Sequence, residues 1–496
     1  MRRILVILTL IVFILGSISV LLAQEKPKFG PKASLKGELQ VYLQAYTPRE
    51  KTEADRWPPP QYGWTIQKEY EKLHPGVKIK FLEAVETDYF TWIQTRLIGG
   101  EAPHIFWGHH SWAEEWGPKG LLVSMDPYLD LPNPYIPGNK KWRDIFDPGV
   151  LAINVAPDGK QYTINGDLVT TGIFYNKDVF DQLGLKVPKY WDEFITVLKK
   201  IKADGKYIPM SWAGAEKECA YSWLNRFTRY PLYKPLMKEF DVIPEEKPGV
   251  VTQKEQALAW KKGIETLSSE RWKVGAQLQK ELSQYWSPGF LGLTMSQAYD
   301  QFITGKAAMH LNGSWQIKPV RLDPLRKFNW GWMPFPVVTN KTTKYAPRPG
   351  TIKGLTLGGP SAAFQFNVPA SAQKQGMLEV AVDFLMYLTA PKNAGPLIAD
   401  LGAFLPSLKG VRPAKELEAV FWKPGTYEFL ELIFPNPGYI DITEEAKDKN
   451  YKLWQLYIGD QISLDKYVEE ATRNVDDAVN KLIKENNWDF SKYGVK

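Results

Sequence analysis

Hydrophobic positions along this chain recur with two periods. Gly37-Glu38-Leu39-Gln40-Val41-Tyr42-Leu43 alternates every second residue and predicts a strand. Ile66, Tyr70 and Leu73 recur at helical spacing, and Pro75-Gly76 ends that helix. Val77, Ile79 and Phe81 predict a second strand. Phe90, Ile93 and Leu97 predict a second helix, stopped by Gly99-Gly100, and His104-Ile105-Phe106-Trp107 a third strand. Strand, helix, strand, helix, strand is the order of a parallel sheet covered by helices on both faces, an α/β architecture with right-handed crossovers.

The pattern continues beyond this unit. Asp158-Gly159 predicts a tight turn before the strand Tyr162-Thr163-Ile164, and Ile173-Phe174-Tyr175 is another strand. Phe194, Ile195, Leu198 and Ile201 share a helix face. Residues 207–210 and Ala307 to Leu311 predict strands, the second preceded by a helix ending at Gly305. Met377, Val380, Ala381, Phe384, Leu385 and Leu388 make a strongly amphipathic helix, and Val475, Ala478, Val479, Leu482 and Ile483 repeat the pattern near the C-terminus. Residues 403–460 are less regular, and no internal repeat is present.

The length of 496 residues corresponds to about three units at about 150 each, and two large domains fit equally well. The N-terminus changes the picture. Met1-Arg2-Arg3 is a positive n-region, Ile4 to Leu15 is apolar apart from Thr9, and small residues lead to Ala23. This is the layout of a secretory signal peptide over residues 1–23. Leu21 stands where a small residue is preferred, and Ile4 to Ala23 is just long enough to span a bilayer, so a retained N-terminal anchor stays open. Either form places the chain outside the cytoplasm.

Charge and cysteine content exclude several classes. The net charge of +7 falls by two without Arg2 and Arg3, and the remaining bases are mixed with acids. No arginine-rich patch stands out, so no nucleic-acid partner is expected. The single Cys219 excludes a disulfide scaffold, a zinc ribbon and an iron–sulfur site, and reads as a buried small hydrophobe. No cofactor and no metal are expected, and a monomer is the expected state. All 19 tryptophans lie beyond residue 23, many beside Gly, Ser, Asn or His.

Eight short motifs in order then resemble one family. They are Glu69-Tyr70-Glu71-Lys72-Leu73-His74-Pro75-Gly76-Val77-Lys78-Ile79; Gly99-Gly100-Glu101-Ala102-Pro103-His104-Ile105, with His104 where Asp is usual; and Gly120-Leu121-Leu122-Val123-Ser124-Met125-Asp126-Pro127-Tyr128-Leu129. Asp158-Gly159-Lys160-Gln161-Tyr162, Phe174-Tyr175-Asn176-Lys177-Asp178-Val179-Phe180 and Trp191-Asp192-Glu193-Phe194 follow, the last with Tyr190 in place of a Thr cap. Phe302-Ile303-Thr304-Gly305-Lys306-Ala307-Ala308-Met309 and Asn312-Gly313-Ser314-Trp315 complete the series. Together they resemble the extracellular solute-binding proteins of carbohydrate-uptake ABC transporters, the maltose-binding-protein-like group.

That resemblance implies a two-lobed periplasmic-binding-protein-like fold of type II. Its discontinuous domains are joined by a hinge around a ligand cleft. Residues 36–167 and 333–400 would form the N-lobe, and 168–332 and 401–496 the C-lobe. Crossings would fall near Asn165-Gly166-Asp167 and Gly331-Trp332-Met333-Pro334. The implied role is capture of a carbohydrate by hinge closure and delivery to the membrane permease subunits, with an oligosaccharide favoured by the abundance of tryptophan.

Sugars present CH-rich faces and a belt of hydroxyls, which aromatic rings and fixed polar groups match. Strand C-termini and helix N-termini converge at such clefts. The candidate ligand-binding residues are Gln44 and Tyr46 after the first strand; His109 and Trp112 after the third; Asp167 at the crossing; Trp212 after Ser211; and Asn312 and Trp315 after strand 307–311. Gly358 and Gly359 would let backbone approach a ligand. His109-His110 is not read as a metal pair, because adjacent histidines on a strand end point apart. Trp57-Pro58-Pro59-Pro60 reads as a rigid loop. The competing class is a secreted glycoside hydrolase, which needs two carboxylates flanking a scissile bond. Glu114 and Glu115 are candidates, but helical neighbours point different ways. A binder of a non-sugar solute on the same fold is the other alternative.

Overall fold

The computed structural model describes residues 28–84, 88–246, 249–415, 417, 427–430, 433–434, 436–439 and 442–495. The signal-peptide reading of residues 1–23 lies outside them. The first unit runs β1 (Gly37–Tyr42), α1 (Tyr62–Leu73), β2 (Val77–Phe81), α2 (Tyr89–Gly99), β3 (Ile105–Trp107) and α3 (His110–Trp116). β1 lies between β2 and β3 and is parallel to both. Leu39 pairs with Ile79 and Val41 with Ile105, so one face of the sheet is aliphatic and buried. Gly100 closes α2 at φ 74°, a backbone that glycine adopts without strain.

β4 (Thr163–Asn165) and β5 (Asp167–Asn176) are separated by Gly166 alone, yet they belong to different sheets. The second unit continues with α4 (Trp191–Asp204), α5 (Leu224–Tyr233), α6 (Glu270–Ser283), α7 (Met295–Ile303), β6 (Met309–Gly313), α8 (Ile317–Leu322) and β7 (Trp330–Met333). Then come β8 (Leu355–Thr356), β9 (Gly358–Gly359), β10 (Gln365–Asn367), α9 (Leu378–Thr389), α10 (Pro391–Leu401) and β11 (Leu405–Pro406). β12 (Glu428–Phe429), α11 (Glu444–Ile458) and α12 (Leu464–Glu485) follow.

The first sheet has the order β2-β1-β3-β10-β4, and β10 is antiparallel to both neighbours. The second sheet is built on the ten residues of β5, which pairs antiparallel with β6, β7, β9 and β11. The fully parallel sheet expected from the first five elements therefore stops at β3. β10 returns to the first sheet directly from β9 of the second, so no strand–helix–strand crossover from β3 dictates its direction. In the second sheet, α8 carries the chain from β6 to β7, which take the two edges of β5.

Two large apolar cores follow these sheets. One joins β1 to β4 with α9 and α10; the other packs Ile173 and Tyr175 of β5 against α4, α5, α6, α11 and α12. Phe174, between those two residues, points to the opposite face and joins α7 and α8. The packing departs from the expected division of the chain in two places. Phe335, Val337, Leu355 and Leu357 belong to the second core, and Ala403, Phe404 and Leu408 to the first. Long-range pairing decides this: Tyr190 bridges to Val337 and Phe146 to Leu408.

α9 is more buried than its pattern predicts, since every residue from Val380 to Thr389 is covered. Asp383 within it accepts hydrogen bonds from the hydroxyls of Tyr70 at 2.8 Å and Tyr135 at 2.6 Å. A buried carboxylate satisfied by several donors is tolerated where an unpaired one is not.

Candidate functional site

A cavity of about 400 Å³ opens where the two sheets meet. Its walls are Gln44 and Ala45 just after β1, Trp107 at the end of β3, Val169 on β5, and Trp315 just after β6. Ser361, Ala362 and Ala363 before β10 and Phe404 before β11 complete them. Loops and strand ends of both units thus converge on one space, as the cleft geometry requires.

Two of the ten residues expected to bind ligand line this space, Gln44 and Trp315. Gln44 sits at φ 52°, and its side-chain oxygen accepts the Ala45 amide at 2.6 Å. Trp315 leaves the second sheet, packs against the core of the first and meets Trp223 edge to face at 5.7 Å. A Cβ on Gly313 would fall 2.0 Å from the Trp315 ring, so only glycine lets the indole fold back to this position. Trp107 stands in the same cavity, fixed by its indole N–H donating to the Ala362 carbonyl at 3.1 Å.

Tyr46 and Asp167 are fully buried behind the cavity and face each other. The Tyr46 hydroxyl donates to Asp167 Oδ2 at 2.6 Å, and the Phe364 amide donates to Oδ1 at 2.9 Å. Burial pushes the Asp167 acid up to about 7, against the two hydrogen bonds that lower it. Burial and the Asp167 charge together push the Tyr46 phenol well up. The pair ties the crossing segment to the first sheet and does not line the cavity.

Asn312 is likewise engaged internally. Its amide donates to His310 Nε2 at 2.9 Å, and its oxygen accepts the Gly313 amide. His310 Nδ1 meets the Ser211 hydroxyl at 3.0 Å, and burial lowers this imidazole to about 3. Trp212, expected as a plate against the ligand, is 2% exposed and stacks on Trp286 at 4.3 Å and 5°. A second indole from distant sequence covers it, so it belongs to the second core. Gly358 and Gly359 pair with Thr170 and Val169 at φ 110° and 80°. A Cβ on Gly358 would come within 2.4 Å of the Val169 carbonyl oxygen, so the close approach here is to β5.

His109 and Trp112 lie beside the cavity. His109 caps α3, and its Nδ1 accepts the Ser111 amide at 3.3 Å. Burial, then the charges of His110, Arg226 and Lys447, push its imidazole well down. Arg226 and Lys447 belong to the second unit, so the two units approach each other at this rim. The rings of His109 and His110 are 4.5 Å apart and tilted by 31°. They do not point apart as expected, because they enter a helix instead of ending a strand. Trp112 is half-buried behind Trp107, at 5.4 Å edge to face, within a cluster that includes Phe90 and Trp116.

The carboxylates weighed as a hydrolytic pair are engaged elsewhere. Glu114 meets His110 at 3.2 Å, and Glu115 pairs with Lys119 at 2.6 Å. Cys219 is buried, and burial pushes its thiol up. Among the described residues, no group of three or more His, Cys, Asp or Glu is placed to hold a metal, and no helix is long and apolar enough to cross a membrane.

Ala45, Trp107, Val169, Ser361, Ala362, Ala363 and Phe404 line the cavity without having been expected from the sequence. Trp107 had a signal, since it ends a strand on the carboxyl edge of a sheet. Phe404 had none, because its position depends on the chain recrossing to the first core after α10. Trp223 was also missed. It ends a π-helical turn, Glu218–Trp223, a distortion often found at functional sites.

The fold and cleft define a two-lobed α/β binding protein. Residues 64–395 match the model of the family described as bacterial extracellular solute-binding protein, and the chain belongs to that family. It is 26% identical over 414 residues to the multiple sugar-binding protein of Streptococcus mutans, covering 81% of this chain and 83% of that protein. It is 25% identical over 160 residues to the melibiose/raffinose/stachyose-binding protein MelE of Bacillus subtilis, 32% of this chain and 34% of that one. Among solved structures, SBP RafE in complex with raffinose superposes with a TM-score of 0.62 at 19% identity, over 90% of this chain and 100% of that one. The GacH receptor of Streptomyces glaucescens gives 0.63 at 19% identity, over 91% and 99%.

Proposed function

We propose that this chain captures a carbohydrate, an oligosaccharide by preference, between its lobes and delivers it to an ABC-transporter permease without altering it. The observation that carries this reading is the cavity lining. Trp107, Trp315 and Phe404 supply apolar ring surface, Gln44 and Ser361 supply hydrogen-bonding groups, and none of the lining residues titrates. Such a surface matches a ligand with CH faces and hydroxyls and offers no general acid or base for cleavage. The names of the relatives from Streptococcus mutans and Bacillus subtilis support a sugar as the ligand.

The working division is an N-lobe of residues 36–167 and 360–411 and a C-lobe of residues 168–359 and 427–495. Closure brings Trp315 and Trp223 toward Trp107, and the ligand stabilises the closed state by its differential affinity. The chain acts as a monomer outside the cytoplasm, exported by residues 1–23.

A thermal-shift screen of raffinose, melibiose and maltooligosaccharides tests the reading. A ligand at a hundredfold excess over its dissociation constant adds about 2.7 kcal/mol to the stability and raises the melting temperature. No shift with any sugar would contradict a carbohydrate ligand. New reducing ends after long incubation would favour a hydrolase.

A further inference from the structure

Residues 47–61, the proline-rich part of the loop between β1 and α1, do not line the cavity, yet they are heavily engaged. Arg49 and Asp55 close it upon itself through two guanidinium–carboxylate hydrogen bonds. Its far end is pinned to the first core, because the Asp400 carboxylate at the end of α10 accepts the Gln61 and Tyr62 amides at 2.6 and 2.8 Å. Between these anchors the loop reaches the other unit. Arg56 meets Asp300 at 2.8 Å on α7 and Asp323 at 2.6 Å just after α8. Its guanidinium lies 5.7 Å from the Tyr299 ring, and Trp57 meets the same ring edge to face at 6.4 Å. The Asp323 side chain is wholly buried and also accepts the Tyr299 hydroxyl at 3.1 Å. A second crossing lies alongside: Lys318 on α8 donates to the Asp400 carbonyl at 2.8 Å.

We infer that residues 47–61 form a strap between the lobes, which Arg56 and Trp57 dock onto Tyr299, Asp300 and Asp323 to restrain the opening of the cleft. Three successive prolines, Pro58-Pro59-Pro60, stiffen the segment that transmits this restraint, since each fixes one backbone angle. A planar guanidinium shared by two carboxylates and a ring resists sliding better than a lysine would. The strap therefore biases the ligand-free chain toward the closed arrangement.

Small-angle scattering of the ligand-free chain tests this. Arg56→Gln combined with Trp57→Ala removes the docking head and leaves the prolines in place. The expected result is a larger radius of gyration than wild type, with Lys318→Met adding to it. An unchanged profile in a variant that melts as wild type would overturn the proposal. A second measurement does not depend on that variant folding. Arg56→Cys with Asp300→Cys, bridged by a short bis-maleimide, joins strap to α7, and buried Cys219 does not compete. High-yield bridging that keeps the compact profile supports the strap; failure to bridge overturns it. The inference rests on the two-lobed reading but needs no sugar, so a failed sugar screen and an unmoved scattering profile are separate results.

Discussion

Trp212 follows a segment bridged to β6 and its predecessors, Trp315 follows β6 itself, and the two indoles end in opposite situations. Ser211 bridges in parallel to His310, so the two segments run side by side toward the cleft. Trp212 turns into the second core and stacks on Trp286. Trp315 folds back over Gly313 and lines the cavity. The difference lies in what else is within reach. A flat indole just beyond the end of α6 covers one position, while a glycine opens the other toward the opposite lobe. Gln44 and Tyr46 repeat the contrast two residues apart: the first faces the cavity, and the second is locked to Asp167.

The contrast can be broken most forcefully at Trp212. Trp212→Ala leaves a void in a close-packed core and is expected to destabilise the chain by about 3–5 kcal/mol in urea unfolding. The affinity of the folded fraction for its sugar should be unchanged. A small stability loss with a large affinity loss would move Trp212 into the site.

Asp167 sharpens the second contrast. Its acid rises from 3.8 to about 7 in the folded chain, so the native state holds this proton more tightly than the unfolded one. Its contribution to stability is complete below about pH 4 and is lost as pH rises through about 7. Asp167→Asn should flatten that part of the stability–pH profile, read by denaturant titration at several pH values. A profile that keeps its slope would show that the titration belongs to another group.

The smallest expected effect on folding, and the decisive one for binding, is at Trp315. Trp315→Ala should weaken sugar binding by more than about 1 kcal/mol, about fivefold, while unfolding stays cooperative. Equal affinity in calorimetry would remove Trp315 from the site.

Much of the frame was legible along the chain. β1 through β3 with their helices follow from local period and from Pro75-Gly76 and Gly99-Gly100, which act within a few residues. The cavity was legible where a local feature decides it, as Asn312-Gly313-Ser314 does for Trp315. It was not legible where a distant segment decides. Trp286 lies far along the chain from Trp212, Phe364 supplies the amide that engages Asp167, and β5 forces the glycines at 358 and 359. The recrossings at Phe335 and Ala403 belong to the same class, since each depends on a pairing with sequence read much earlier.

Capture of a sugar between the lobes is tested most sharply by a crystal structure of the chain with the sugar that gives the largest thermal shift. Sugar rings are expected between Trp107 and Trp315, with hydroxyls toward Gln44 and Ser361 and every glycosidic bond intact. A sugar bound elsewhere, or a cleaved one, would rule out capture in this cavity.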